Sequence, residues 1–128
     1  MHTKALARLP NAYAPFSNFH VASCIFTKNQ NYSTGVNVEN SSYGLSVCAE
    51  SAAISNMICQ GDSLIESILV ISDGDVLSVP CGACRQKIYE FSTADTIIYV
   101  GNKLTIFKSF TIKDLLPEPF KLFNKSGS

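Results

Sequence analysis

Val79-Pro80-Cys81-Gly82-Ala83-Cys84-Arg85-Gln86, read with Cys48-Ala49-Glu50 upstream, is the stretch around which this chain is organised. Two cysteines three apart, set just after a proline and opening a helical pattern, can aim both sulfurs at one point beyond a helix start. A metal ion fits that point, and Cys48 would be its third ligand. Glu50 is too close in sequence to be a comfortable fourth ligand, but it is well placed to handle protons beside the ion. Three protein ligands leave one coordination position open, which separates a catalytic zinc from a closed structural one. Three thiolates around Zn2+ also leave the centre net negative. Helix N-termini, each worth roughly half a positive charge, would offset that excess, so placing the cysteines at helix starts is a physical requirement as well as a pattern.

The rest of the chain suits such a site. Its 128 residues are enough for one domain, here taken as 1–128, to bury a core without disulfides. Hydrophobic residues make up 46% and charged residues 16%, the balance of an apolar globule rather than a disordered chain. Ten basic and ten acidic residues cancel without clustering, which argues against a nucleic-acid surface and for a small neutral ligand. Five cysteines are an odd number, and the Cys81/Cys84 spacing reads as metal ligation more than as a disulfide framework, pointing to a reducing cytoplasm. No secretory signal is legible near His2, Lys4, Arg8 and Pro10. No run approaches the roughly 20 apolar residues that span a bilayer. Lys125-Ser-Gly-Ser128 reads as a frayed tail.

In order, Thr3 to Leu9 is a short helix that Pro10 ends or restarts, and Asn11 to Asn18 is a loop of turn formers and aromatics. Phe19–Thr27 and Tyr32–Glu39 read as a hairpin turning at Lys28 to Asn31. A helix is expected from a cap at Ser46 to the residue before Gly61. Its small residues Ala49, Ser51, Ala52, Ala53 and Ser55 permit close approach, while Ile54, Met57 and Ile58 supply apolar bulk. Strand Ile65–Ile71, helix Cys81–Phe91, strands Thr96–Val100 and Leu104–Phe110, and a helical turn at Ile112–Leu116 complete the chain. This alternation predicts an α/β fold, a three-layer α/β/α sandwich around a central mixed five-stranded sheet.

A Cys or His followed two residues later by Glu, then a distant Pro-Cys-x-x-Cys, is the pattern of zinc nucleobase deaminases. Over almost its whole length the chain resembles the small homo-oligomeric cytidine deaminases. The resemblance runs from Ala12-Tyr-Ala-Pro-Phe-Ser-Asn-Phe19 through Gly35-Val-Asn-Val-Glu-Asn-Ser-Ser-Tyr43, Cys48-Ala-Glu50 and Pro80-Cys-Gly-Ala-Cys-Arg-Gln86 to Leu115-Leu-Pro-Glu-Pro-Phe120. It implies hydrolytic deamination of cytidine and 2′-deoxycytidine in pyrimidine salvage, one Zn2+ per chain, and a homotetramer acting on a free nucleoside, with no nucleic-acid or membrane partner. Cys48, Cys81 and Cys84 would hold the zinc. Glu50 would take a proton from water, pass it to a ring nitrogen and help the amine depart. Asn37 and Glu39 would clamp the ribose hydroxyls, Phe19 would stack near the base, and Ala49 would offer it backbone groups. Phe120 would reach a neighbouring subunit's site.

Blander readings stand beside these. Cys48-Ala-Glu50 alone is a buried cysteine next to a surface glutamate, Asn37 and Glu39 could cap a turn, and Phe120 could pack in the core. Cys24 and Cys59 read as buried thiols, and His2 and His20 lack zinc-ligand spacing. The rival functions are a deaminase of a modified cytosine nucleoside or antibiotic, and a zinc-stabilised non-catalytic binding module. Two positions depart from the family pattern: Ala22 replaces a usual glycine, and Ser51 replaces the usual arginine after the glutamate. Without that arginine the thiolates are less compensated unless Arg85, a hydroxyl or a helix dipole takes over. Reduced turnover or affinity is expected rather than inactivity, and Ser51→Arg should change zinc retention or turnover, read by chelator competition and steady-state rates.

Overall fold

A computed structural model of the chain describes residues 1–74 and 79–122; the tail expected at Lys125–Ser128 lies outside them. Its elements are α1 (His2–Arg8), a 3-10 turn (Leu9–Asn11), β1 (Val21–Thr27), β2 (Tyr32–Val36), α2 (Ala49–Cys59), β3 (Ile65–Ser72), α3 (Gly82–Glu90), β4 (Ser92–Asn102), β5 (Ile106–Thr111) and α4 (Ile112–Leu115). A further 3-10 turn covers Tyr43–Leu45. Pro10 restarts the chain as that first 3-10 turn, because its ring suits the opening of a helical turn but not a helix interior.

The strands form one mixed five-stranded sheet in the order β2-β1-β3-β4-β5. β1 is antiparallel to both β2 and β3, β3 is parallel to β4, and β4 is antiparallel to β5. The alternation of side chains across a strand assigns the helices to its faces. Ala22 and Cys24, with Leu69 and Ile71, pack against Ala5 and Leu9 of the N-terminal segment. The opposite set, Ile25, Ile68, Ile98 and Val100, packs against Ala53, Ile54 and Met57 of α2, Ile88 and Tyr89 of α3, and Ile112 and Leu115 of α4. Helices therefore cover both faces, giving three layers. Ile25, Ile68, Ile88 and Ile98 are all fully buried, and each such burial stabilises by about 1.5–3 kcal/mol. β3 is apolar along nearly its whole length because it lies at the centre of the sheet, covered on both sides. Ala22, at the position of the usual glycine, fits beside Ala5 and Leu9.

This topology places the helix starts. β2, β3 and β4 all point the same way, since β1 is antiparallel to its two neighbours and β3 is parallel to β4. The loops after β2 and β3 thus leave the sheet at one edge, and α2 and α3 both begin there. The chain entering β1 from residues 12–20 meets that edge too. Open α/β sheets bind ligands outside the carboxyl ends of their strands.

The start of α2 corrects the expected boundary. The helix begins at Ala49 with Cys48 as N-cap, not at Ser46. Val47 is held extended by exchanging backbone hydrogen bonds with Val38, both of 2.8 Å, and the Ser46 hydroxyl accepts from the Asn40 N–H instead. At the far end Gly61 adopts φ +96° and terminates the helix as expected. The β2 strand stops at Val36, with Val38 adding only isolated bridges to Tyr13 and Val47, whereas β4 extends well beyond the expected Thr96–Val100. Among the described residues no helix is long and apolar enough to cross a membrane.

The small residues of α2 serve the expected close approach. Gly35 of β2 lies so near the helix that a Cβ there would stand 2.6 Å from the Ala49 carbonyl oxygen and 2.8 Å from the Ala52 carbonyl carbon, and nearer still to the Ala53 nitrogen. Backbone cannot retreat as a side-chain tip can. Gly35→Ala should therefore push α2 off the sheet at a cost of roughly 3 kcal/mol, read as a lowered thermal midpoint, with loss of metal retention because the displaced turn carries Cys48.

Candidate active site

Cys48 and Cys81 are the N-cap residues of α2 and α3, and neither helix start has a side-chain cap. The first-turn N–H groups of both helices are thus directed at the edge where the sulfurs gather. There the sulfurs of Cys48 and Cys84 and a carboxylate oxygen of Glu50 all lie within 4.8 Å of one another. Cys84 and Glu50 are buried and Cys48 is half-buried. The Cys81 side chain is exposed, and its sulfur falls outside this close group. Cys81 is nonetheless the N-cap of α3, three residues before Cys84.

The electrostatics of the group are uneven. Cys48 is held well below the ordinary thiol value, first because the Cys84 thiol donates to it, with the Ser51 hydroxyl and the Lys87 charge adding to the effect against burial. Cys84 is driven in the opposite direction by that same shared hydrogen, by burial and by the Glu50 charge. Glu50 is raised to about 7, chiefly by burial and then by the neighbouring Cys48 charge. A buried carboxyl near neutrality can both accept and return a proton. Two soft donors with one already biased to the thiolate form suit zinc, whose binding would displace the shared proton.

Two residues stand beside this group: Ser51, whose hydroxyl is one of the compensations the sequence offered, and Lys87, which the sequence did not disclose. Ser51 places its hydroxyl oxygen 3.0 Å from the Cys48 sulfur, and Lys87 of α3 donates to that oxygen at 2.8 Å. Arg85, the basic residue the sequence offered as compensation, is committed elsewhere. Its Nε donates to the Pro80 carbonyl at 2.7 Å and its Nη1 to the Leu115 carbonyl at 3.0 Å.

Beside the sulfurs opens a cleft of about 600 Å³ lined by Phe16, Ser17, Asn37, Glu39, Tyr43 and Cys48, among others. Glu39 faces it with its carboxylate already oriented: it accepts from the N–H groups of Phe16 at 3.0 Å and Ser17 at 3.1 Å, and from the Ser17 hydroxyl. That hydroxyl, above all, keeps Glu39 below the usual carboxylate range. Asn37 is a brace between segments. Its Oδ1 accepts from the Val21 N–H and its Nδ2 donates to the Phe19 carbonyl, both at 2.9 Å. Phe19 is partly exposed, but Phe16 is the aromatic of this loop that lines the cleft. Sequence inspection passed over Phe16 and Ser17, although they stand in the same turn-rich stretch. Ala49 is fully buried in the first turn of α2. The main chain of Phe120 is clamped by Gln86, which donates to its carbonyl at 3.0 Å and accepts from its N–H at 3.1 Å, while the residue is 72% exposed and takes no part in the core. His2 bonds the Asn102 carbonyl, and His20 pairs with Asp73 at 2.6 Å, fastening the start of β1 to the end of β3.

At the carboxyl edge of the mixed sheet, two helix N-termini thus bring together Cys48, Cys84 and the buried Glu50 carboxylate, a donor set of the kind that can hold a metal ion. Residues 1–100 match the family model described as the cytidine and deoxycytidylate deaminase zinc-binding region. A cytidine deaminase of Mycoplasma pneumoniae is 39% identical over 127 residues, covering 98% of this chain and 95% of the relative. One from Halalkalibacterium halodurans is 37% identical over 117 residues, covering 91% and 89%. The crystal structure of cytidine deaminase from Burkholderia pseudomallei superposes with a TM-score of 0.86 at 34% identity, covering 92% of this chain and 94% of that one. The chain belongs to the cytidine and deoxycytidylate deaminase family.

All five cysteines are free thiols. The expectation of two buried bystanders holds for Cys24, but Cys59, at the last turn of α2, is exposed. In the folded protein iodoacetamide should alkylate Cys59 readily and leave Cys24 unmodified until denaturant is added, as read by peptide mass spectrometry.

Proposed function

We propose that this chain deaminates cytidine and 2′-deoxycytidine hydrolytically, as a zinc-dependent enzyme of pyrimidine salvage. The observation that carries the reading is the convergence of Cys48, Cys84 and Glu50 at two helix starts beside the cleft. Cys48, Cys81 and Cys84 are the proposed ligands of one zinc per chain, with Cys81 turning in from the cap of α3. The ion would supply Lewis acidity that makes water a nucleophile near neutral pH.

Glu50 takes a proton from the attacking water and delivers it to N3 of the cytosine ring as the new C4–O bond forms. It then carries the proton of the new C4 hydroxyl to the departing amine, so that the C4–N bond breaks as the C4 carbonyl forms and ammonia leaves. One carboxylate suffices for both transfers because the reaction only relocates protons, and burial, which raises the Glu50 carboxyl above the ordinary range, makes it a readier proton acceptor. Burial keeps it from bulk water at 5% exposure. Glu39, pre-oriented by the Phe16 and Ser17 amides, is the ribose contact, and Asn37 assists from the same side of the extended segment. Phe16 joins Phe19 as the aromatic wall against the base, and Ala49 presents first-turn backbone to it. Phe120, exposed and clamped only through its main chain, is available to a neighbouring subunit. The exposed apolar residues Tyr43 and Leu45 near the cleft support self-association, proposed as a homotetramer. The free thiols support a reducing, cytoplasmic setting.

The absorbance of free cytidine should fall with zinc-loaded wild type. Glu50→Gln should lose about 10³-fold in kcat, within the range of general acid–base contributions, while keeping its zinc. Chelator-treated protein should be inactive and recover on zinc addition, and zinc should protect Cys81, but not Cys59, from alkylation. No turnover by metal-replete wild type, with zinc retained, would instead favour the non-catalytic binding module.

A further inference from the structure

The groove between α2 and α3 holds a hydrogen-bonded chain that ends on a sulfur. Lys87 stands three residues after Cys84 on α3, and Ser51 three residues after Cys48 on α2, so each lies one helical turn beyond a cysteine. The two side chains meet across the groove, which is lined also by Ile54, Gln86, Glu90 and Phe91. Lys87 Nζ is 2.8 Å from Ser51 Oγ, and Ser51 Oγ is 3.0 Å from Cys48 Sγ.

The direction of the chain follows from the groups involved. An ammonium has hydrogens to give and no lone pair to accept with, so the Ser51 oxygen accepts from Lys87. In the thiolate form that binds metal the Cys48 sulfur carries no hydrogen, so the hydroxyl's single hydrogen goes to it and the sulfur is the acceptor at the end of the chain. A donor polarised by a cation is a stronger donor in turn, and hydrogen bonds to a charged group favour its charged form.

We propose that Lys87, acting through Ser51, is a positioning residue for Cys48: it makes that sulfur a standing hydrogen-bond acceptor and thereby sets how firmly the site keeps its metal. This rests on the zinc-site reading above and adds to it a determinant on the other helix. Outer-shell partners of this kind typically change metal affinity 10–100-fold when removed. Lys87 is exposed, so its replacement leaves the core intact, and a mere cross-brace between two helices would alter melting without altering the sulfur's donor character.

The test loads wild type, Lys87→Met, Lys87→Arg, Ser51→Ala and the Lys87→Met/Ser51→Ala double variant with zinc and follows its release into a chromogenic chelator. Lys87→Met and Ser51→Ala should each speed release by about 10-fold, and the double variant should be no faster than the faster single, because both act through one chain. Lys87→Arg, which keeps the cation, should recover part of the loss. In cobalt-loaded protein the thiolate-to-metal charge-transfer band of Lys87→Met should move to longer wavelength, since a sulfur that has lost its donor gives up electron density more easily. Zinc release and a cobalt band unchanged in Lys87→Met would overturn the proposal, as would additive losses in the double variant. Wild type that retains no zinc would overturn the zinc-site reading beneath it, a separate and recognisable failure.

Discussion

The backbone contact between Gly35 and the first turns of α2 is the constraint on which the arrangement of the site depends. It seats the helix directly on the edge strand β2 and fixes where its N-terminus emerges. Because β3 runs in the same direction as β2, α3 begins at the same edge of the sheet. Only then do Cys48 and Cys84, far apart in sequence, come within 4.8 Å of each other and of Glu50. A side chain at residue 35 would separate by geometry what the motif joins by chemistry.

Crowding thiol groups around a buried carboxylate creates an electrostatic problem, and the surroundings show how it is met. The uncapped helix starts direct partial positive charge at the sulfurs. Ser51 and Lys87 bring a hydrogen-bond donor and a full charge to the outer side of Cys48. Arg85 does neither, being bound to two main-chain carbonyls, where it ties the loop before α3 to α4. Ser51 and Lys87 stand on different helices, so the cation that reaches the Ser51 hydroxyl beside Cys48 comes from α3.

The cleft follows a different logic. Its polar groups are oriented by the protein's own backbone before any ligand enters: Glu39 is held by the amides of Phe16 and Ser17, and those residues are positioned by the loop that leads into β1. Asn37 holds the same loop through Val21 and Phe19. Preorganisation of this kind lowers the entropic cost of binding. It also means that the observed bracing by Asn37 and its proposed part in substrate contact are compatible, because an amide making one donor bond retains a second hydrogen.

Spacing along the chain determined the class of fold, the approximate strands and helices, and the grouping of Cys48, Glu50 and Cys84, because helical and strand periodicity and N-terminal placement are local properties. Local signals also identified Gly61 as the end of α2 and the small face of that helix as a surface of close approach. The start of α2 at Ala49 was decided by the Val38–Val47 pairing, and Phe16 lines the cleft because of how the loop folds back on Glu39. The exposure of Cys59 and of Phe120 likewise depended on what packs beside them. Above all, the meeting of Lys87 with Ser51 joins residues 36 apart. No periodicity encodes such a contact; it exists only once the sheet has brought two helices side by side.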